Sequence, residues 1–205
     1  MNRQRHPHDG GKPLNASIVL RLATMADVHL FDRWDQQPHV ISATTDDPEA
    51  LKAFEDANWP DEIAAQDEHS QFLIAEHDGR AIGAMQIIDP HRERTHYWGE
   101  IQPNLRALDI WIGEADCLGK GYGETMMRLA FQRCFSDPAV TAIVIDPLTS
   151  NIRAHRFYCR LGFKSLGRRM FDDDDCLVHE LSREDWCNGF PDEAAEIPVE
   201  VKLPV

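Results

Sequence analysis

The chain has 205 residues, with 21 Lys and Arg against 35 Asp and Glu, for a formal net charge of −14 at pH 7. That length suits one domain whose core folds without disulfides, and the negative balance argues against a nucleic-acid backbone or an anionic membrane as partner. Five cysteines, an odd number with no C-x-x-C pair, indicate neither a disulfide framework nor a zinc knuckle and fit a reducing cytoplasm, and no apolar run approaches the length of about 20 residues that spans a bilayer.

The first residues, MNRQRHPHDGGKP, lack the apolar stretch of a signal peptide and are expected to form a flexible tail through residue 16. Ser17 to Leu22 reads as a strand, and Thr24 as the N-cap of a helix from Met25 to Trp34. A loop is expected through Pro38 and Pro48, then an acidic helix over Glu49 to Gln66 that Pro60 breaks or restarts. Gln71 to Glu76 and Ala81 to Ile88 are apolar runs joined by His77-Asp78-Gly79-Arg80, a hairpin signal, and Leu105 to Gly113 is a further strand.

After the Gly-rich turn Leu118-Gly119-Lys120-Gly121-Tyr122-Gly123 comes a helix with Met126, Met127, Ala130, Phe131, Cys134 and Phe135 on one face. Val140 to Asp146 reads as a buried strand and Asn151 to Leu161 as a helix ended by Gly162. Phe163 to Arg169 and Cys176 to Leu181 read as a hairpin closing around Asp172 to Asp175. This order predicts a mixed α/β domain over residues 17–187, with one layered sheet. Residues 188–205, rich in Pro and Glu, read as a loosely held tail.

Charge is unevenly spread along these elements. Residues 27–68 carry twelve acids and two basic groups, and residues 172–200 carry eleven acids and one. Between them, residues 118–171 carry nine Lys or Arg against three acids. An acidic chain thus contains one basic segment, and that segment holds the Gly-rich turn.

A strand, a G-x-G turn and a helix together make an anion site: the helix start offers unpaired N–H groups, and glycine lets the backbone come close and adopt positive φ. The turn is neither a Walker loop nor a dinucleotide fingerprint, since Met126 stands where a third glycine belongs. About thirty residues later stands Asn151-Ile152-Arg153-Ala154-His155-Arg156-Phe157-Tyr158-Cys159-Arg160-Leu161-Gly162-Phe163. With the turn, this N-x-x-A-x-x-F-Y-x-x-x-G-F pattern resembles the GNAT superfamily of acyl-CoA-dependent N-acyltransferases, over roughly Ser17 to Trp186.

A narrower resemblance rests on Tyr97-Trp98-Gly99-Glu100, Arg106-Ala107-Leu108-Asp109, the turn itself, Ser136-Asp137-Pro138, Asp146-Pro147 and Ser150-Asn151. This series is similar to the aminoglycoside 6′-N-acetyltransferases and their siderophore-biosynthesis relatives. The chain departs from that pattern at Leu118, where an Arg or Gln is usual, and over Ile41 to Asp47, where the family has a Trp-rich substrate loop.

The resemblance implies a GNAT fold, a central twisted mixed sheet of six to seven strands flanked by helices. It implies acetyl-CoA at Leu118, Gly119, Lys120, Gly121, Tyr122, Gly123 and Glu124, with Trp111, Ile112, Asp146, Asn151, Ala154 and Tyr158 completing the cofactor site. It implies an acceptor near Trp98, Glu100, Asp109 and Asp46, with Asp109 as proton acceptor or ammonium ligand and Tyr158 as proton donor to the departing thiolate. Asp109 stands out without any family: a carboxylate inside an apolar strand is costly unless it has a task or a partner. Amine acylation needs a base for the ammonium and an N–H donor for the developing oxyanion, which the resemblance places on the backbone near Trp111 and Ile112.

Arg153, Arg156 and Arg160 form a helical stripe that reads either as solvated surface or as a contact for the cofactor's 3′-phosphate. The acceptor expected is a cationic small molecule with a primary amine, foremost an aminoglycoside. The alternatives are a hydroxylysine-like siderophore precursor, a protein or peptide amine, or a non-catalytic acyl-CoA-binding module. No metal is needed, and a monomer or homodimer is expected.

Overall fold

A computed structural model describes residues 18–196; the expected N-terminal tail and residues 197–205 lie outside them. Seven strands form one mixed sheet: β1 (Ile18–Leu22), β2 (Ser70–His77), β3 (Arg80–Ile88), β4 (Leu105–Ile112), β5 (Ala142–Ile145), β6 (Lys164–Phe171) and β7 (Asp174–Ser182). Their spatial order is β1-β2-β3-β4-β5-β7-β6, and every neighbouring pair is antiparallel except β4 and β5. The helices are α1 (Val28–Asp35), α2 (Pro38–Thr44), α3 (Trp59–Ala64), α4 (Tyr122–Phe135), α5 (Ile152–Arg160), α6 (Arg183–Gly189) and α7 (Pro191–Ala195). Among the described residues no helix is long and apolar enough to cross a membrane.

Local chemistry accounts for the entry to α1. A single 3-10 turn, Met25–Asp27, precedes it, closed by a capping box between Thr24 and Asp27. The Asp27 carboxylate also takes two bonds from the Arg21 guanidinium, at 2.8 and 2.7 Å, and these hold its pKa down to about 2. Gly113, just past β4, is required for a different reason. A Cβ there would lie 2.2 Å from the Trp34 ring, so α1 packs against bare backbone.

One face of the sheet is covered by α4, α5 and α6. Met126, Met127, Ala130, Phe131, Cys134 and Phe135 of α4 are all buried there, as their spacing predicts, against Leu73, Met85, Leu108 and Ile143. Trp186 of α6 stacks on Phe135 at 4.7 Å. The opposite face carries two separate clusters. Phe31, Trp34, Trp59 and Trp111 belong to one, and Trp98, Leu105, Ala107, Phe171 and Cys176 to the other.

Three expectations from the sequence are corrected. The segment taken as loop through Pro38 is α2, because a proline in the first turn of a helix sets φ and lacks only an N–H that would be unpaired anyway. The acidic helix expected over Glu49 to Gln66 is confined to α3: Pro60 starts it behind the Asn58 cap. Upstream, the buried Asp35 carboxylate accepts from Phe54 N at 2.8 Å and Trp59 Nε1 at 3.3 Å, so side chains rather than a helical ladder hold residues 45–58. Residues 188–196, expected as tail, complete α6 and form α7, which is fastened by a buried ion pair between Arg128 and Glu193.

Candidate active site

The parallel pair opens the site. Strand β5 pairs only with Leu105, Arg106 and Ala107 of β4, whereas β4 stays paired to β3 as far as Ile112. From Leu108 onward the two strands diverge, and one edge of β4 faces a gap. Gly113 N donates to Ile82 O and Ala84 lies opposite Trp111, so Asp109 and Trp111 turn their backbone groups toward β3. Leu108, Ile110 and Ile112 then turn theirs into the gap, by strand alternation. The Ile112 carbonyl confirms the direction, since it accepts from His39 Nε2 of α2 at 2.9 Å rather than from the sheet. Among the described residues the N–H groups of Ile110 and Ile112 therefore face the gap, while that of Trp111, expected from the sequence, faces β3.

This gap is part of a cleft of about 1510 Å³ lined by α2, the 45–57 segment, the loop before β4, β4, the Gly-rich turn, α5 and the start of β7. At one end, Gly119 and Gly121 have φ of 71° and 84°, and Gly121 is the N-cap of α4. A Cβ on either would meet nothing within 4 Å, so the space over the turn is open. The fourteen-residue α4 directs its first amides into it. Leu118, Gly119, Gly121, Tyr122, Gly123 and Glu124 line the cleft, as do Asn151, Ala154 and Tyr158; Lys120 is exposed outside it. Asn151 caps α5, accepting from Ala154 N at 3.0 Å. Arg153, Arg156 and Arg160 also line this part of the cleft.

Leu105, Ala107, Asp109 and Trp111 point to one face of β4, and Asp109 falls at the seam between that face's two apolar clusters. Apolar packing stops there, and the carboxylate forms part of the cleft wall. Among the described residues no group donates a hydrogen bond to it. Burial, then the charge of Asp146 just beyond β5, push its pKa up to about 7. Asp146 is also raised by burial, while a hydrogen bond from the Tyr97 hydroxyl at 2.8 Å pulls it back down. Tyr158 lies in the cleft wall against Phe157 and Phe163. Burial, with Asp109 and Asp146 near, raises its phenol, so it remains a proton donor.

The remaining candidates separate. Trp98 lines the cleft although only 3% exposed; Glu100 is exposed and outside the lining. Asp46 is also outside it, accepting from Ser150 Oγ at 2.7 Å, and Asn151 Nδ2 donates to Ala43 O at 3.2 Å. These contacts, with His39 on Ile112, strap the α2 segment across the divergence of β4 and β5. Four groups of the site escaped the sequence reading: Tyr97 as a carboxylate partner, Glu93 as the organiser of its loop, His39, and Asp174. Only the four-aspartate run hinted at the last, which begins β7 rather than ending a turn and has its carboxyl raised by burial and by Asp46. The acids lining the cleft include Asp47, Glu55, Asp56 and Glu62 from the first acidic segment and Asp174 from the second.

The chain matches the family described as "Acetyltransferase (GNAT) domain" over residues 23–171. It is 31% identical over 173 residues to aminoglycoside N(6')-acetyltransferase type 1 of Klebsiella pneumoniae, covering 83% of this chain and 85% of that one. A kanamycin resistance protein of Rhizobium radiobacter is 41% identical over 93 residues, which is 45% of this chain and 86% of that protein. The structure superposes on aminoglycoside acetyltransferase AAC(6')-Ib in complex with coenzyme A and kanamycin, with a TM-score of 0.70 and 29% identity over 84% of this chain and 98% of that one.

Proposed function

The chain belongs to the GNAT acetyltransferases and is an acetyl-CoA-dependent N-acetyltransferase, and from that premise we propose that it acetylates the 6′-amine of aminoglycosides. The observation that carries the proposal is Asp109: a carboxylate with no hydrogen-bond donor among the described residues, pushed up to about 7, in the wall of a cleft with an anion cradle at one end and further carboxylates elsewhere. Likeness to relatives that act on aminoglycosides supports the acceptor class.

The cradle fits a pyrophosphate, because positive-φ glycines leave space that a side chain would fill and α4 offers its first amides. Acetyl-CoA, when bound, supplies an activated acetyl thioester. The turn 118–124 would hold the pyrophosphate, the open edge at Ile110 and Ile112 would offer donors to the acetyl carbonyl oxygen, and Arg153 and Arg156 would attract the 3′-phosphate. Lys120 adds charge near the turn from outside the cleft. Asp109 binds the acceptor ammonium and removes its proton, which makes the nitrogen lone pair available. As the C–N bond forms and the C–S bond breaks, Tyr158 would supply the proton that the thiolate needs and would regain one from solvent. Asp146, Asp174 and the acids of residues 47–62 bind the other ammonium groups of a polycation, and Trp98 walls the pocket.

Gly121→Val is expected to raise the Kd for coenzyme A about tenfold or more, since a β-branched residue resists φ of 84° and its Cβ enters the phosphate space. An unchanged Kd by calorimetry would remove the cradle from the account. Thiol release from acetyl-CoA, measured across aminoglycosides, hydroxylysine and peptide amines, tests the acceptor: aminoglycosides should give the highest kcat/KM. Preference for either other class, or coenzyme A binding without turnover of any acceptor, would reject the proposal.

A further inference from the structure

Tyr97 sits in the loop between β3 and β4, and that loop is built with more care than a surface connection needs. The buried Glu93 carboxylate accepts from Thr95 N at 2.5 Å, Thr95 Oγ1 at 2.6 Å and Tyr97 N at 2.8 Å. Downstream, Gly99 N donates to His96 O at 2.7 Å, and the Arg169 guanidinium donates to Trp98 O at 2.6 Å. The Tyr97 ring stacks on Phe171 of β6, with centroids 4.6 Å apart and planes 8° from parallel. Stacking alone would be served by phenylalanine. The hydroxyl adds one thing, its hydrogen bond to Asp146 Oδ2 at 2.8 Å.

That bond falls on one member of a carboxylate pair. Asp146 is faced by Asp109 from β4, Tyr158 from α5, Arg169 from β6, and Asp174 and Cys176 from β7. Two buried carboxyls in one field do not ionise independently, and the first proton leaves whichever is better solvated. Tyr97 and Arg169 both favour the ionised form of Asp146, whereas Asp109 has no donor of its own among the described residues.

We propose that Tyr97 is a positioning residue of the acetyl transfer: its hydroxyl assigns the fixed negative charge of the pair to Asp146 and leaves the exchangeable proton to Asp109. The base is thereby held in a state that takes up and releases a proton under working conditions, while Asp146, with donors from Tyr97 and Arg169, takes the first negative charge of the pair and presents it to the acceptor. This inference rests on the reading of Asp109 as the base, yet its direct test does not require turnover.

In protein carrying 13C-labelled aspartate carboxyls, Asp109→Asn and Asp146→Asn assign the two resonances. Tyr97→Phe keeps the stacked ring and removes the donor. It should move the two midpoints in opposite directions: Asp146 up by about one to two units, as expected for loss of one hydrogen bond to a charged group, and Asp109 down by less, since the change reaches it only through the charge on Asp146. In the active enzyme, the acidic limb of kcat should move to lower pH by a similar amount, because Asp109 no longer faces a fixed neighbouring charge. Adding Tyr97→Phe to Asp146→Asn should produce no further displacement of Asp109. Midpoints that stay put, or that move together, would overturn the assignment, as would an acidic limb displaced upward. Wild-type enzyme with no aminoglycoside turnover, but with the opposed displacements intact, would reject the proposed acceptor and leave the role of Tyr97 standing.

Discussion

Asp109→Asn should lower kcat for aminoglycoside acetylation by about a hundredfold to ten-thousandfold, the range for loss of a positioned general base. The substitution is nearly isosteric, and the carboxylate it removes has no hydrogen-bond donor among the described residues, so the fold has little to lose. Stability should rise slightly near neutral pH. A carboxyl raised from 3.8 to about 7 binds its proton more tightly when folded, so its contribution is present at low pH and is lost as pH climbs through 7.

The wild-type pH profile should show the kinetic counterpart. Below about 7 Asp109 is protonated and cannot accept the ammonium proton, so kcat/KM rises with pH through a midpoint near 7, and the variant loses that limb. Affinity for coenzyme A should be unchanged, because Asp109 stands apart from the phosphate cradle. A variant that kept kcat within a factor of three, or that kept the acidic limb, would move the base elsewhere.

The second large effect concerns stability. Arg128 of α4 and Glu193 of α7 are both buried, at 8% and 5% exposure, and Arg128 Nε donates to Glu193 Oε1 at 2.5 Å. Burial pushes the Glu193 carboxyl up and Arg128 draws it back. The guanidinium also lies over the Phe190 ring at 5.4 Å. Arg128→Met leaves the Glu193 carboxylate buried opposite an apolar chain, and removal of one member of such a pair costs about 3–5 kcal/mol. Denaturant unfolding should show the free energy of unfolding falling by that amount, with the midpoint lowered in proportion, and the double variant Arg128→Met with Glu193→Leu should recover most of it. A loss below about 1 kcal/mol for the single variant would mean that α7 is not integral to the fold.

Much of this was readable from residues. The apolar strand runs, the Asp-Gly turn and the apolar face of α4 lie where the residues placed them, because turn and helix geometry are set locally. The geometry of the Gly-rich turn was equally legible: Gly119 and Gly121 take the positive φ for which glycine is chosen. Asp109 was visible as a polar interruption of an apolar row, and the structure supplies the reason that the row tolerates it, a seam between two clusters. What stayed hidden depends on contacts distant in sequence. No local pattern says that Asp35 will capture Phe54 N, that Glu193 will meet Arg128 across 65 residues, or that Tyr97 will reach Asp146 across 49. The substrate walls are the least legible part, since the 45–58 segment is shaped by aromatic packing of Phe54 and Trp59 on Trp111.

Charge shows the same division. The net −14 describes the surface as a whole, yet the cleft draws arginines from α5 and carboxylates from the 47–62 segment and β7. An anionic cofactor and the proposed cationic acceptor would thus each meet groups of opposite sign in one cavity.

The most direct test of the central claim is thiol release from acetyl-CoA with kanamycin, set beside an analogue carrying a hydroxyl in place of the 6′-amine. The account predicts steady release with the amine, one acetyl group on the 6′ nitrogen of the product, and no release above background with the analogue. Equal release with both, acetylation at another nitrogen, or no release with either would contradict it.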